Sequence, residues 1–203
     1  MIVVVDYGLG NLFSVAKALE SVGAEVLISS KSEDLKRASH IVLPGVGAFA
    51  DGMDYLNKNG LAEALQEEVI KNKKPFLGIC LGMQLLGDVG YEYGEHSGLG
   101  WIKGDVKKIN AEKFGLKVPH IGWNNLSFKK ESRLFRGIRQ DADFYFVHSY
   151  QLHCVNASDV VATAFYGEDI TAAIESDNIF AVQFHPEKSQ ENGLKLLENF
   201  INI

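Results

Sequence analysis

Between residues 2 and 80 the chain alternates short apolar runs with stretches of helical period, and that alternation restricts the fold more than any other feature. Ile2–Val5, Glu25–Ser29, His40–Leu43 and Phe76–Cys80 read as strands. Between them, Asn11 to Val22 sets Leu12, Val15, Ala16, Leu19 and Val22 along one helical stripe, and Gly23 ends it. Ser32 to Ser39 has helical character with Ser32 as its cap, and Leu61 to Lys71 places Leu61, Leu65 and Val69 on one face. Strands that are apolar throughout, joined by helices, predict a parallel sheet buried on both faces.

The second half has another rhythm. Asp105–Ile109, Phe144–Val147, Val160–Phe165, Thr171–Ile174 and Ile179–Phe184 read as short strands separated by turn residues. They predict an antiparallel extension of the same sheet. A closing helix, Gly193 to Ile201, shows Leu194, Leu197 and Ile201. There is no repeat, linker or low-complexity segment, so residues 1–203 are expected to form one α/β domain.

Charge and cysteine content narrow the function classes. The formal net charge is −6 and no basic stripe is present, which argues against a nucleic-acid partner. No apolar run is long enough to span a membrane. "MIVVVDYGLG" lacks the basic flank and cleavage signature of a signal peptide. The two cysteines, Cys80 and Cys154, are expected to be free thiols in a reducing, cytosolic setting. His40, His96, His120 and His153 have no zinc-ligand spacing, so neither a metal nor a cofactor is expected.

Four loops at strand ends can carry chemistry. In "GICLGMQ", Gly78 and Gly82 flank Cys80 in the G-x-C-x-G pattern of a nucleophile elbow. That turn presents the side chain at the sheet edge, near a helix N-terminus whose dipole favours thiolate. A buried cysteine acting as a small hydrophobe is the alternative. In "AVQFHPEKS", His185 can serve as base and Glu187 as its orienting group, with Pro186 stiffening the turn; a solvent-facing loop reads equally well. "LPGVGAF" offers backbone N–H groups of Gly45, Val46 and Gly47 to an oxyanion, or is an ordinary tight turn. "DYGLGN" has a glycine pair without the dinucleotide fingerprint, and Asn11 can simply cap the first helix. In open α/β sheets ligands bind outside the carboxyl ends of strands, which favours one shared site.

With these motifs in order, together with "PHIGWN" and "FYFVHSY", the chain resembles the class I glutamine amidotransferases over its whole length. More narrowly it resembles the glutaminase subunits of imidazole glycerol phosphate synthases. The resemblance implies a flavodoxin-like fold and a Cys80–His185–Glu187 triad that hydrolyses glutamine. It implies an oxyanion hole from Val46, Gly47 and Leu81, and a substrate pocket lined by Gly45, Gly47, Gln84, His148, Ser149 and Tyr150. The implied partner is a (β/α)8-barrel cyclase subunit receiving ammonia, with Asn11, Trp123, Tyr145 and Lys188 at the interface or ammonia gate. As structure, Trp123 reads as core, Asn11 as a cap, Tyr145 as an inward strand residue and Lys188 as a solvated lysine. The same chemistry feeding a paralogous barrel, as in amidino-sugar synthesis for surface polysaccharides, is the alternative.

Overall fold

The computed structural model describes all 203 residues. The strands are β1 (Ile2–Val5), β2 (Val26–Ser29), β3 (His40–Gly45), β4 (Phe76–Cys80), β5 (Val89–Gly90), β6 (His96–Ser97) and β7 (Gly104–Lys108). They continue with β8 (His120–Asn125), β9 (Ser127–Phe128), β10 (Asp143–His148), β11 (Tyr150–Cys154), β12 (Val160–Tyr166), β13 (Glu168–Ser176) and β14 (Ile179–Val182). The helices are α1 (Leu12–Ser21), α2 (Ser32–Arg37), α3 (Phe49–Lys58), α4 (Leu61–Leu65), α5 (Leu81–Gln84) and α6 (Gln190–Ile201).

Eight strands form one sheet in the order β2-β1-β3-β4-β14-β13-β12-β9. Neighbours are parallel from β2 through β14 and antiparallel beyond it. Side-chain alternation divides β1 between two layers. Ile2 and Val4 face a core shared with Leu19 of α1 and Leu197 and Phe200 of α6. Val3 and Val5 face Leu35, Leu56, Leu61 and Leu65 of α2 to α4. Helices thus cover both faces, as the alternating pattern predicts.

Three expectations about the second half need correction. Ile179–Phe184 does not extend the sheet in antiparallel fashion: β14 lies parallel to β4 in the middle of the sheet. Every residue of β14 is buried, and only a central strand covered on both faces accommodates that. Asp105–Ile109 and Phe144–Val147 leave the main sheet altogether. β7 belongs to a four-stranded sheet, β11-β7-β5-β6, and β10 pairs with β8 alone. Burial alternates along β10, so it has one wet face, unsuited to the centre of a covered sheet.

Two helical details also differ. Ser32 is the first residue of α2 and Lys31 holds the cap position without a side-chain bond. Ser29 on β2 holds the turn instead, donating to Asp34 Oδ2 at 2.6 Å and accepting from Lys31 N–H. The expected helix from Leu61 to Lys71 is α4 running into a π-helical turn, Gln66–Lys71. No helix is long and apolar enough to cross a membrane.

Candidate active site

The loops after β1, β3, β4 and β14 all leave the carboxyl edge of the parallel part of the sheet, so the fold brings them to one place. Cys80 ends β4 with φ +54° and ψ −106°, a backbone state that costs a non-glycine residue roughly 1–3 kcal/mol. Its flanking glycines are required by close approach. A Cβ at Gly78 would sit 2.7 Å from Gly82 O, and one at Gly82 would collide with Leu43 O of β3. The elbow turns as tightly as it does because neither position has a side chain.

His185 follows β14. Its N–H donates to Tyr145 O at 2.9 Å, and Ser189 Oγ donates to His185 O while accepting from Tyr145 N–H. These bonds anchor the loop to β10. His185 Nδ1 lies 2.8 Å from Glu187 Oε1, and both side chains are almost fully buried. The second ring nitrogen, Nε2, is buried without a hydrogen-bond partner. Burial alone would lower the His185 pKa; contacts with the Cys80 sulfur and then Glu187 outweigh it and raise the value to about 9. One ring nitrogen is thus oriented by a carboxylate, the other makes no hydrogen bond, and the Cys80 sulfur is near enough to favour the imidazole's charged form.

A cavity of about 300 Å³ opens on the sulfur. Val46, Gly47, Leu81, Gln84, His148, Ser149 and Tyr150 line it, as do Pro119, Val147 and Glu92, which the sequence reading did not single out. Gly45 does not line it: it pairs with Cys80 across β3 and β4, with the Tyr7 hydroxyl pressed behind it. Val46 and Gly47 line the cavity, and their backbone N–H groups donate to no carbonyl among the turn and loop bonds of the chain. Glu92 Oε2 accepts from Phe49 N–H at 2.9 Å, at the start of α3. A larger open groove of about 740 Å³, lined by residues between Phe128 and Gln140 with Glu175, contains no cysteine or histidine. Size does not select the site here; chemistry does.

Two further residues escaped the sequence reading. Gln183 is fully buried between Val182 and Phe184; an amide inside an apolar run was the available signal. His120, assigned no role from sequence, bonds through Nδ1 to His148 Nε2 at 2.9 Å and stacks between Phe146 and Tyr166. Burial lowers the His120 pKa to about 4. For His148, burial, opposed by the Tyr150 carbonyl and assisted by His120 and His185, lowers it to about 3. Both are neutral at pH 7. Cys154 is a free thiol that burial, with Asp159, raises to about 12. No cluster of metal-ligating side chains is present.

Of the candidate interface residues, Trp123 is half-exposed rather than core. It pairs across strands with Tyr145, their rings 6.0 Å apart, and Lys188 Nζ lies over the Tyr145 ring at 5.8 Å. These three form one surface group beside His185. Asn11 is exposed at the head of α1 and makes no side-chain cap bond.

The chain is 51% identical over its full length, and that of its relative, to imidazole glycerol phosphate synthase subunit HisH 1 of Campylobacter jejuni strain RM1221. It is 52% identical to subunit HisH of Aquifex aeolicus, covering 98% of this chain and 94% of that one. It is 45% identical, over the full length of both, to subunit HisH 2 of Pseudomonas aeruginosa PAO1. Among solved structures, one described as PurLQS from Thermotoga maritima superposes with a TM-score of 0.78 at 20% identity, covering 99% of this chain and 97% of that one; this likeness concerns the fold. The family model "Glutamine amidotransferase class-I" matches residues 3–203, and the chain belongs to the class I glutamine amidotransferase family.

Proposed function

We propose that this chain, as one domain over residues 1–203, hydrolyses glutamine and passes the ammonia to a (β/α)8-barrel cyclase subunit. The pair would make imidazole glycerol phosphate and an aminoimidazole carboxamide ribotide in histidine biosynthesis, in the cytoplasm. One observation carries the chemistry. A cysteine on a strained elbow faces a histidine whose Nδ1 is held by Glu187 at 2.8 Å and whose Nε2 has no partner.

The Cys80 sulfur attacks the carbonyl carbon of the glutamine side chain, and the carbonyl electron pair moves to oxygen. Val46, Gly47 and Leu81 N–H groups receive that charge. His185 Nε2 protonates the departing nitrogen, and ammonia leaves a glutamyl thioester. Water, deprotonated by His185, then adds to the thioester, and the carbon–sulfur bond breaks to release glutamate. Glu187 keeps Nδ1 protonated and stabilises the cation throughout. At the other end of the substrate, Glu92 uses one oxygen on Phe49 N–H and offers the other to the α-ammonium. Both Nε2 hydrogens of Gln84 are committed, to Tyr150 O and Gln183 Oε1, so its carbonyl oxygen is what faces a ligand.

The assignment of a partner rests on the full-length similarity to synthase subunits and on the exposed Trp123–Tyr145–Lys188 group beside His185. A second reading keeps the glutaminase and changes the acceptor to a paralogous barrel in amidino-sugar synthesis; numbered names among the relatives, HisH 1 and HisH 2, favour keeping it. The test is glutamate release by the purified chain, alone and with the cyclase subunit of the same genome plus its nucleotide substrate. Strong stimulation by the two together supports the histidine-pathway reading. Labelling of Cys80 by a glutamine-like electrophile without stimulation moves the paralogous acceptor to first place. Neither release nor labelling overturns the glutaminase.

A further inference from the structure

Beyond Cys80, His185 and Glu187, the geometry points to Gln183 as a fourth catalytic residue: its side-chain N–H donates to the Cys80 sulfur and holds it as the thiolate. Gln183 Nε2 lies 3.6 Å from Sγ, and the residue has no exposed surface. The other group bonded to Sγ is Val147 O, at 3.9 Å. A carbonyl can serve a thiol, which has a hydrogen to give, but not a thiolate. In the charged form the sulfur therefore depends on Gln183 for a neutral donor, beside the His185 cation.

The orientation of this amide follows from its neighbours. Gln183 Oε1 accepts from Gln84 Nε2 at 3.0 Å, and Gln84 Nε2 also donates to Tyr150 O at 2.9 Å. Tyr150 O is a backbone carbonyl and can only accept. That settles which end of Gln84 is nitrogen, and hence that Gln183 turns its oxygen to Gln84 and its nitrogen to sulfur. A flipped Gln183 would set donor against donor in a dry site, leaving buried polar groups unsatisfied. The same carbonyl accepts His148 Nδ1–H at 2.9 Å, and His148 Nε2 accepts from His120 Nδ1 at 2.9 Å. Tyr150 O thus accepts from both sides, from His148 and from Gln84, and from Gln84 onward the bonds run in one direction, through Gln183 to the nucleophile.

A donor at this place acts twice. It raises the fraction of sulfur present as thiolate before attack. It acts again when the thioester breaks, because the electron pair of the carbon–sulfur bond returns to sulfur, and a stabilised thiolate leaves faster. This second role rests on the glutaminase reading; the first does not.

The experiment is the rate of Cys80 alkylation by iodoacetamide across pH in the full chain, with the modified site identified by mass spectrometry. Gln183→Met keeps the length of the side chain and removes both bonds. Its alkylation midpoint should rise by about one pH unit, the scale of a hydrogen bond to a charged group. Glutamate release should fall about tenfold or more in kcat with KM moved far less. An unchanged midpoint overturns the proposal, whatever happens to activity, because a packing role would not move it. Gln84→Met leaves Gln183 in place but frees its amide to rotate, and should raise the midpoint by less. If Gln183→Met does not fold, this variant decides, and no shift overturns the proposal. Should the wild-type chain alkylate normally yet neither release glutamate with its partner present nor take the glutamine-like electrophile, the glutaminase reading fails while the midpoints still judge Gln183.

Discussion

Gly82→Ala tests the claim that the elbow is defined by close approach. The new methyl would collide with Leu43 O, a backbone atom of β3 that cannot rotate away as a side chain does. Leu43 pairs with Gly78 in the β3–β4 ladder, so relief requires moving either that ladder or α5. Overpacking of this kind costs about 1–3 kcal/mol, and a clash with backbone belongs at the upper end. For a chain of this size each kcal/mol lowers Tm by about 2–4 °C, giving about 6–12 °C. The variant that folds carries Cys80 displaced from His185, and a displacement near 1 Å costs about 100-fold in turnover. Differential scanning calorimetry reads the first effect and glutamate release the second. A variant that melts within about 2 °C of wild type and turns over normally would refute the argument that Gly82 is required by the approach of β3.

Two other outcomes test the electrostatics. His120 and His148 are buried with pKa values lowered to about 4 and about 3, so the unfolded chain binds more protons than the folded one below about pH 6.5. Their contribution is present above that pH and is lost as pH falls towards 4, at about 1.4 kcal/mol per pH unit for each residue. Urea unfolding at pH 6.5, 5.5 and 4.5 should show His120→Gln with a shallower loss by about that slope, and an equal slope would sink the reasoning. In the active site, Cys80→Ser removes the leading contribution that raises His185. The histidine's NMR titration midpoint should fall, while an unmoved midpoint would mean Glu187 alone sustains it.

The parallel half was legible because its strands are apolar on both faces and its helices are striped, so local sequence and final position carry the same information. The elbow was legible for a related reason: two glycines around one cysteine are a local demand of the backbone. What failed was placement. Ile179–Val182 is as apolar as Phe76–Cys80, yet its neighbours in sequence suggested an antiparallel extension; its central position, parallel to β4, is decided by burial between β4 and β13. Helix α3 was missed because Asp51, Gly52 and Asp54 interrupt its stripe, and Gly52 there gives Leu85 and Leu81 room to pack. Glu92 and His120 could not be assigned to the site because their partners lie far along the chain and nothing local marks them, and the amide of Gln183 inside an apolar run marks the residue without naming its partners, Gln84 and Cys80.

The central position of β14 has a consequence for how activity arises during folding. Nucleophile and base follow adjacent strands, so their separation rests on the hydrogen-bonded spacing of the sheet, about 4.8 Å between strands, together with the bonds that anchor the His185 loop to β10. Yet β4 belongs to the first half of the chain and β14 to the last thirty residues. β14 forms a tight hairpin with β13, but its pairing with β4 closes a loop of about a hundred residues. A chain still missing that strand would possess the elbow and no base. Competence for catalysis is therefore gained when that hairpin docks on β4, and the reactive sulfur acquires its partner only when the sheet is whole.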